Sequence, residues 1–88
     1  MDIDRLKSII NEYTGIPVHE IGADMSLRGD MAMDSFQIIA MIASIENEFR
    51  IVIPEFDIVE FETLKDIADY ISEQTGYTGP VWNAGLST

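Results

Sequence analysis

No cysteine occurs in the chain, so neither a disulfide nor a thiolate metal site can hold it together, and stability has to come from packing. Histidine is nearly absent too. The single one, His19, lies between Gly15 and Gly22 beside Pro17, and a lone loop histidine is more often a surface residue than a base or ligand. There is no Ser/His/Asp order, no metal-spaced histidine cluster and no glycine-rich phosphate loop. No catalytic residue and no metal ligand is therefore assigned. Positive charge is scarce: 5 basic residues face 16 acidic ones, for a net charge of −11 over 88 residues. Such a chain repels phosphate backbones and anionic membranes, which excludes nucleic acid and membrane surfaces as expected partners. It is drawn to basic protein surfaces, although acidity also simply keeps a small protein soluble. Long apolar runs are missing, and the opening MDIDRLKSII lacks the pattern of a signal peptide, so a soluble, cytoplasmic protein is expected.

What is present is helical periodicity. Ile3, Leu6, Ile9, Ile10 and Tyr13 recur at helical spacing over about 2–14, with Asp2 or Asp4 to cap the start and Gly15 and Pro17 to stop it. A second helix is expected over about 35–50. Asp34 is its N-cap, with Gln37 placed for a capping box, and Ile38, Ile39, Met41, Ile42, Ile45 and Phe49 form its apolar face. The IVIP segment at 51–54 is too short for a useful strand, and Pro54 opens a short third helix over about 55–61. A fourth covers about 63–75, with Thr63 and Asp66 as a box-like pair, Leu64, Ile67, Ala68 and Ile71 as core stripe, and Gly76 as stop. The fold class is all-α: a small four-helix bundle with a short third helix.

The stretch 16–33 is long for a loop inside a compact domain. Val18, Ile21, Met25, Leu27 and Met31 are spaced to drop side chains onto helices below, and VHEI can make a helical turn. It reads as an ordered crossover rather than a free linker. One domain over 1–76 is expected, followed by a flexible, uncharged tail over 77–88 that contains Trp82.

The stretch MAMDSF places Asp34 and Ser35 where this loop meets the second helix. Both residue types are common in a first helical turn, so the pair alone says little. In this position, however, the Ser35 hydroxyl points out of the bundle, among unpaired backbone N–H groups at the positive end of the helix dipole. A phosphate attached there is stabilised for the same reason that helix starts bind anions. No local base makes Ser35 a nucleophile in its own right, so another enzyme has to act on it.

These residues give the chain its resemblance to a family. DRLKSIINEYTGI, MDSF, IIAMIASIENEFRIVIPEF and FETLKDIADYISEQ together resemble the acyl carrier proteins over about 2–75. The resemblance implies a covalent 4′-phosphopantetheine arm on Ser35, taken from coenzyme A and placed by a phosphopantetheinyl transferase, with Asp34 as helix cap and recognition element. It implies a non-catalytic carrier whose cargo travels as a thioester, serving fatty-acid or polyketide-like lipid biosynthesis as a monomer. Acyl-loading, synthase and transferase enzymes with basic docking surfaces would meet Phe36, Ala40, Ala43, Glu46, Asn47 and Glu60.

The chain departs from the usual family pattern in two respects. No charge falls between Asp34 and Glu46, and Ala40 stands where the family usually carries an acid one turn after the serine. Docking is then expected to rely on Phe36, Ala40 and Ala43, with acid only at Glu46 and around Asp57, Glu60 and Glu62, which fits a specialised carrier as well as a housekeeping one. Phe56, Ile58 and Phe61 are also bulky where small residues would leave room for a chain, so long acyl cargo is expected to be sheltered poorly, although Phe56 can equally lie outside. A peptidyl or aminoacyl carrier and an unmodified acidic interaction domain are the competing readings. A calcium loop starting at Asp24 fails, because Arg28 is no ligand and Ser35 stands where a glutamate is needed.

Overall fold

The computed structural model describes residues 3–76, and the tail with Trp82 lies outside them, as does Asp2. Among the described residues four α-helices follow one another: α1 (Ile3–Thr14), α2 (Ser35–Phe49), α3 (Glu55–Ile58) and α4 (Leu64–Thr75). A 3₁₀ turn at Val18–Glu20 interrupts the first connection, where a helical turn is expected from the sequence. The spacing of apolar residues decides which faces turn inward. Leu6, Ile9 and Ile10 of α1, Ile38, Met41, Ile42 and Ile45 of α2, and Leu64, Ile67, Ala68 and Ile71 of α4 meet in one buried cluster. Burying a Leu or Ile side chain contributes roughly 1.5–3 kcal/mol, which makes this cluster the main source of stability in a cysteine-free chain. Polar ties hold α1 to α2: Arg5 Nε pairs with Glu48 at 3.2 Å, and the Tyr13 and Ser44 hydroxyls bond to each other.

The long connection is ordered for two reasons. Ile21, Leu27, Met31 and Met33 send their side chains into the core. Its backbone is also stitched to the start of α4: Leu27 N–H donates to Glu62 O at 2.9 Å, Leu64 N–H to Met25 O at 3.1 Å, and Lys65 N–H to Ala23 O at 3.0 Å. Ser26 and Thr63 form an isolated antiparallel bridge between the same segments. Backbone polar groups that a loop would otherwise leave to water are thus paired within the fold.

Several local expectations need correction. Asp4 sits in the first turn of α1 rather than at its cap. The second helix ends at Phe49. Arg50 then adopts a left-handed conformation (φ 57°) as C-cap, its N–H bonded to Glu46 O. By contrast, Thr63 caps the start of α4 and Gly76 closes the helix at φ 74°, both as expected from the sequence. The third helix is a single turn, Glu55–Ile58, instead of spanning 55–61. Beyond it the chain tightens into overlapping three-residue turns, with Glu60 N–H on Asp57 O and Phe61 N–H on Ile58 O. Ile39 does not join the apolar face: it is 50% exposed, as the core-facing stripe of α2 is filled by Ile38, Met41, Ile42 and Ile45. Phe56, which the sequence leaves open, lies outside at 72% exposure, because one turn of helix cannot bury both Phe56 and Ile58 against the same neighbours.

Candidate functional site

The start of α2 is fixed by its cap. Asp34 has extended backbone, and its carboxylate accepts the Gln37 N–H at 2.8 Å. The Gln37 side chain reaches back to accept the Asp34 N–H at 3.2 Å, which completes the capping box expected from the sequence. Ser35, the first helical residue, follows directly and is exposed. The box leaves the N–H groups of Ser35 and Phe36 without intrahelical acceptors, so the hydroxyl stands beside free donors and the positive end of the dipole.

The other wall of the site comes from the loop. Ser26 Oγ accepts the N–H groups of Gly29 (3.1 Å) and Asp30 (2.9 Å), and the Asp30 carboxylate accepts the Ser26 N–H at 2.9 Å. Met31 N–H donates to Ser26 O at 3.0 Å, and Met33 N–H to Leu27 O at 2.9 Å. This small knot turns Arg28 toward α2, where its Nη2 donates to Ser35 Oγ at 2.9 Å. Arg28 escapes sequence reasoning as a site residue because it sits seven positions before the serine, in a loop without periodicity. One signal was available: it is the only basic residue between Lys7 and Arg50, His19 apart.

Beside Ser35 lies a cleft of about 80 Å³, bordered by Arg28, Ile39, Ile58, Val59 and Phe61. That is about half the ~150 Å³ cavity that takes up one benzene ring. Ile58 and Phe61 narrow it as their bulk suggests, and Phe56 has no part in it. A second, open cleft of about 370 Å³ lies between α3 and α4, with Asp57, Glu60, Asp66, Asp69 and Glu73 on its walls. There Tyr70 OH donates to Asp57 at 3.0 Å, and its ring meets Phe61 edge-on at 5.6 Å between centroids. Partial burial and the neighbouring Asp57 carboxylate push the Tyr70 hydroxyl above its ordinary pKa.

Among the residues expected at a docking face, Phe36, Ala40, Ala43 and Asn47 are exposed along one stripe of α2, with Phe36 at 82%. Glu46 is half-buried at the stripe's edge, where its carboxylate accepts the Ile53 N–H at 2.7 Å and ties down the chain after α2. Glu60 is exposed and faces the α3–α4 cleft, apart from the stripe. Among the described residues no group of three or more His, Cys, Asp or Glu is placed to hold a metal ion, and no helix is long and apolar enough to cross a membrane.

The geometry fits a phosphodiester-linked arm: an exposed hydroxyl, unpaired helix-start N–H groups, and a guanidinium in contact with the hydroxyl oxygen. When attached, 4′-phosphopantetheine supplies the thiol that this cysteine-free chain lacks.

Comparison with known proteins agrees. The family model described as "Phosphopantetheine attachment site" matches residues 4–71. The acyl carrier protein of Kineococcus radiotolerans is 34% identical over 71 residues, covering 81% of this chain and 88% of that one. That of Acidothermus cellulolyticus is 31% identical over 70 residues, covering 80% and 83%. Among solved structures, the acyl carrier protein from Enterococcus faecalis superposes with a TM-score of 0.71 at 22% identity, over 82% of this chain and 91% of that one, which supports the fold. The chain belongs to the acyl carrier protein family, non-catalytic carriers with a covalent phosphopantetheine arm.

Proposed function

We propose that Ser35 carries the 4′-phosphopantetheine arm, esterified through its Oγ by a phosphopantetheinyl transferase that draws on coenzyme A. The observation that supports this most directly is the place of the hydroxyl, exposed at the first residue of α2 and 2.9 Å from the Arg28 guanidinium. Asp34 holds the helix start in the conformation that presents the hydroxyl, and it offers the transferase a carboxylate next to the acceptor oxygen. Tethering raises the effective concentration of cargo at a partner's active site, so weak docking suffices.

In this reading, acyl-loading and acyl-processing enzymes approach along the stripe Phe36, Ala40, Ala43 and Asn47. Their basic groups meet Glu46 at one end of it and Glu60 beyond. The stripe itself has no charge, so the contact depends on apolar shape more than on salt-sensitive pairing, and this favours a carrier dedicated to a specialised lipid pathway in the cytoplasm, acting as a monomer. The test is intact mass after incubation with coenzyme A, magnesium and a phosphopantetheinyl transferase. Wild-type protein gains one phosphopantetheine and Ser35→Ala gains none. A gain that persists in Ser35→Ala would place the attachment elsewhere.

A further inference from the structure

We infer that Arg28 is a positioning residue for the arm: once Ser35 is esterified, its guanidinium moves from the serine oxygen to a non-bridging phosphate oxygen and fixes the direction in which the arm leaves the protein. The inference rests on the Ser35 reading above.

Four observations carry it. First, Arg28 Nη2 already touches the oxygen that would bond to phosphorus, at 2.9 Å, so phosphate oxygens added there fall within reach of the same fork of donors. Second, the acceptor changes character. A serine hydroxyl oxygen accepts a hydrogen bond well, whereas a bridging ester oxygen accepts poorly and the adjacent non-bridging oxygens carry the negative charge. Charge-assisted bonds from arginine to phosphate are shorter and stronger than bonds to a neutral hydroxyl, and the planar fork can grip two oxygens at once. Third, among the described residues no carboxylate pairs with Arg28, although the chain has a net charge of −11. Fourth, the knot of Ser26, Gly29 and Asp30 holds the backbone on both sides of Arg28. The side chain therefore starts from a fixed base, which lowers the entropy cost of gripping the phosphate.

The consequence is directional. Arg28 and Ser35 border the same cleft with Ile39 and Val59. A phosphate held on the Arg28 side starts the arm along the α2–α3 edge instead of leaving it to sweep freely from the helix start.

The experiment compares wild type, Arg28→Lys and Arg28→Gln, each loaded with coenzyme A and transferase, checked by intact mass and read by ³¹P NMR. The reference resonance is that of the same loaded protein unfolded in urea. Arg28 is exposed, so the variants keep the wild-type helical circular dichroism spectrum. Loaded wild type is expected to give a ³¹P resonance displaced from the unfolded reference. Arg28→Gln loses most of that displacement, and Arg28→Lys, which keeps the charge without the fork, retains part of it. If all three load and Arg28→Gln gives the wild-type resonance, Arg28 does not hold the phosphate and this inference alone falls. If folded wild type gains no mass with its cognate transferase, the Ser35 reading falls and takes the inference with it.

Discussion

Gly29 packs so closely on Ser26 that a Cβ built on the glycine falls 2.5 Å from Ser26 Oγ. That oxygen accepts the Gly29 and Asp30 N–H groups, so a methyl group at 29 has to displace the hydroxyl from both. An alanine also restricts the unfolded chain, which stabilises by ~0.4–1 kcal/mol. Two lost bonds at ~0.5–1.5 kcal/mol each outweigh this. Gly29→Ala is expected to destabilise by about 1 kcal/mol, a drop in Tm of roughly 4–8 °C for a domain of this size. Gly22 is the control: a Cβ there meets nothing within 4 Å, so Gly22→Ala should leave Tm unchanged or raise it. Equal effects of the two substitutions would show that the contact at Gly29 has no energetic weight.

Ala32 adopts φ 52°, a left-handed conformation, between the buried Met31 and Met33. A Cβ in that region costs roughly 1–2 kcal/mol, more than the ~0.4–1 kcal/mol glycine loses through the entropy of the unfolded chain. Ala32→Gly is expected to stabilise by about 0.5 kcal/mol and Ala32→Val to destabilise by more than that. Urea titration of the three proteins checks the order.

Acid stability should depend on Asp66. Its carboxylate accepts the Glu62 and Thr63 N–H groups at 2.8 and 3.1 Å, and these bonds hold its pKa below the ordinary 3.8. A depressed carboxylate contributes stability above its unfolded pKa and loses it as pH falls through the folded value. Wild type should therefore lose stability as pH drops below about 3.8, and Asp66→Asn should be less stable at neutral pH and flatter in this range. Thermal melts between pH 2 and 7 measure the difference. Parallel curves would remove Asp66 from the account.

Cargo length should matter little to the body of the protein. The cleft beside Ser35 is about 80 Å³, too small as it stands to take in a long acyl chain. The Tm of loaded protein is expected to stay flat as the acyl chain lengthens. A steady rise with each added pair of carbons would mean that Ile58 and Phe61 move aside to admit it.

Much of this was legible because it is local. The Asp34 cap needs only Gln37 three residues on, and the core stripes of α1 and α4 follow from spacing alone. Side chains around the site were harder to place. Ile39 is apolar and expected inside, and the sequence leaves Phe56 open to either side, yet both are exposed. Periodicity counts hydrophobicity, and an apolar surface raises that count just as a core does. The third helix was overdrawn for the same reason, since Val59 and Phe61 extend an apolar pattern past the point where hydrogen bonding tightens. For Arg28 the sequence offers only its isolation between Lys7 and Arg50: its contact with Ser35 depends on how the Ser26–Asp30 knot folds, and helical periodicity does not report on that knot.

The pairing of Leu27 with Glu62 and of Met25 with Leu64 has a consequence for the order of events in the cell. Ser35 leaves the ribosome about thirty residues before the strand-like partner that braces its loop. An unfinished chain can display the Asp34-Ser35 dipeptide, but it has no Glu62 carbonyl to hold Leu27 and no α4 start to anchor Met25. The loop in front of Ser35 is therefore braced only once the segment from Glu62 to Lys65 has joined the fold.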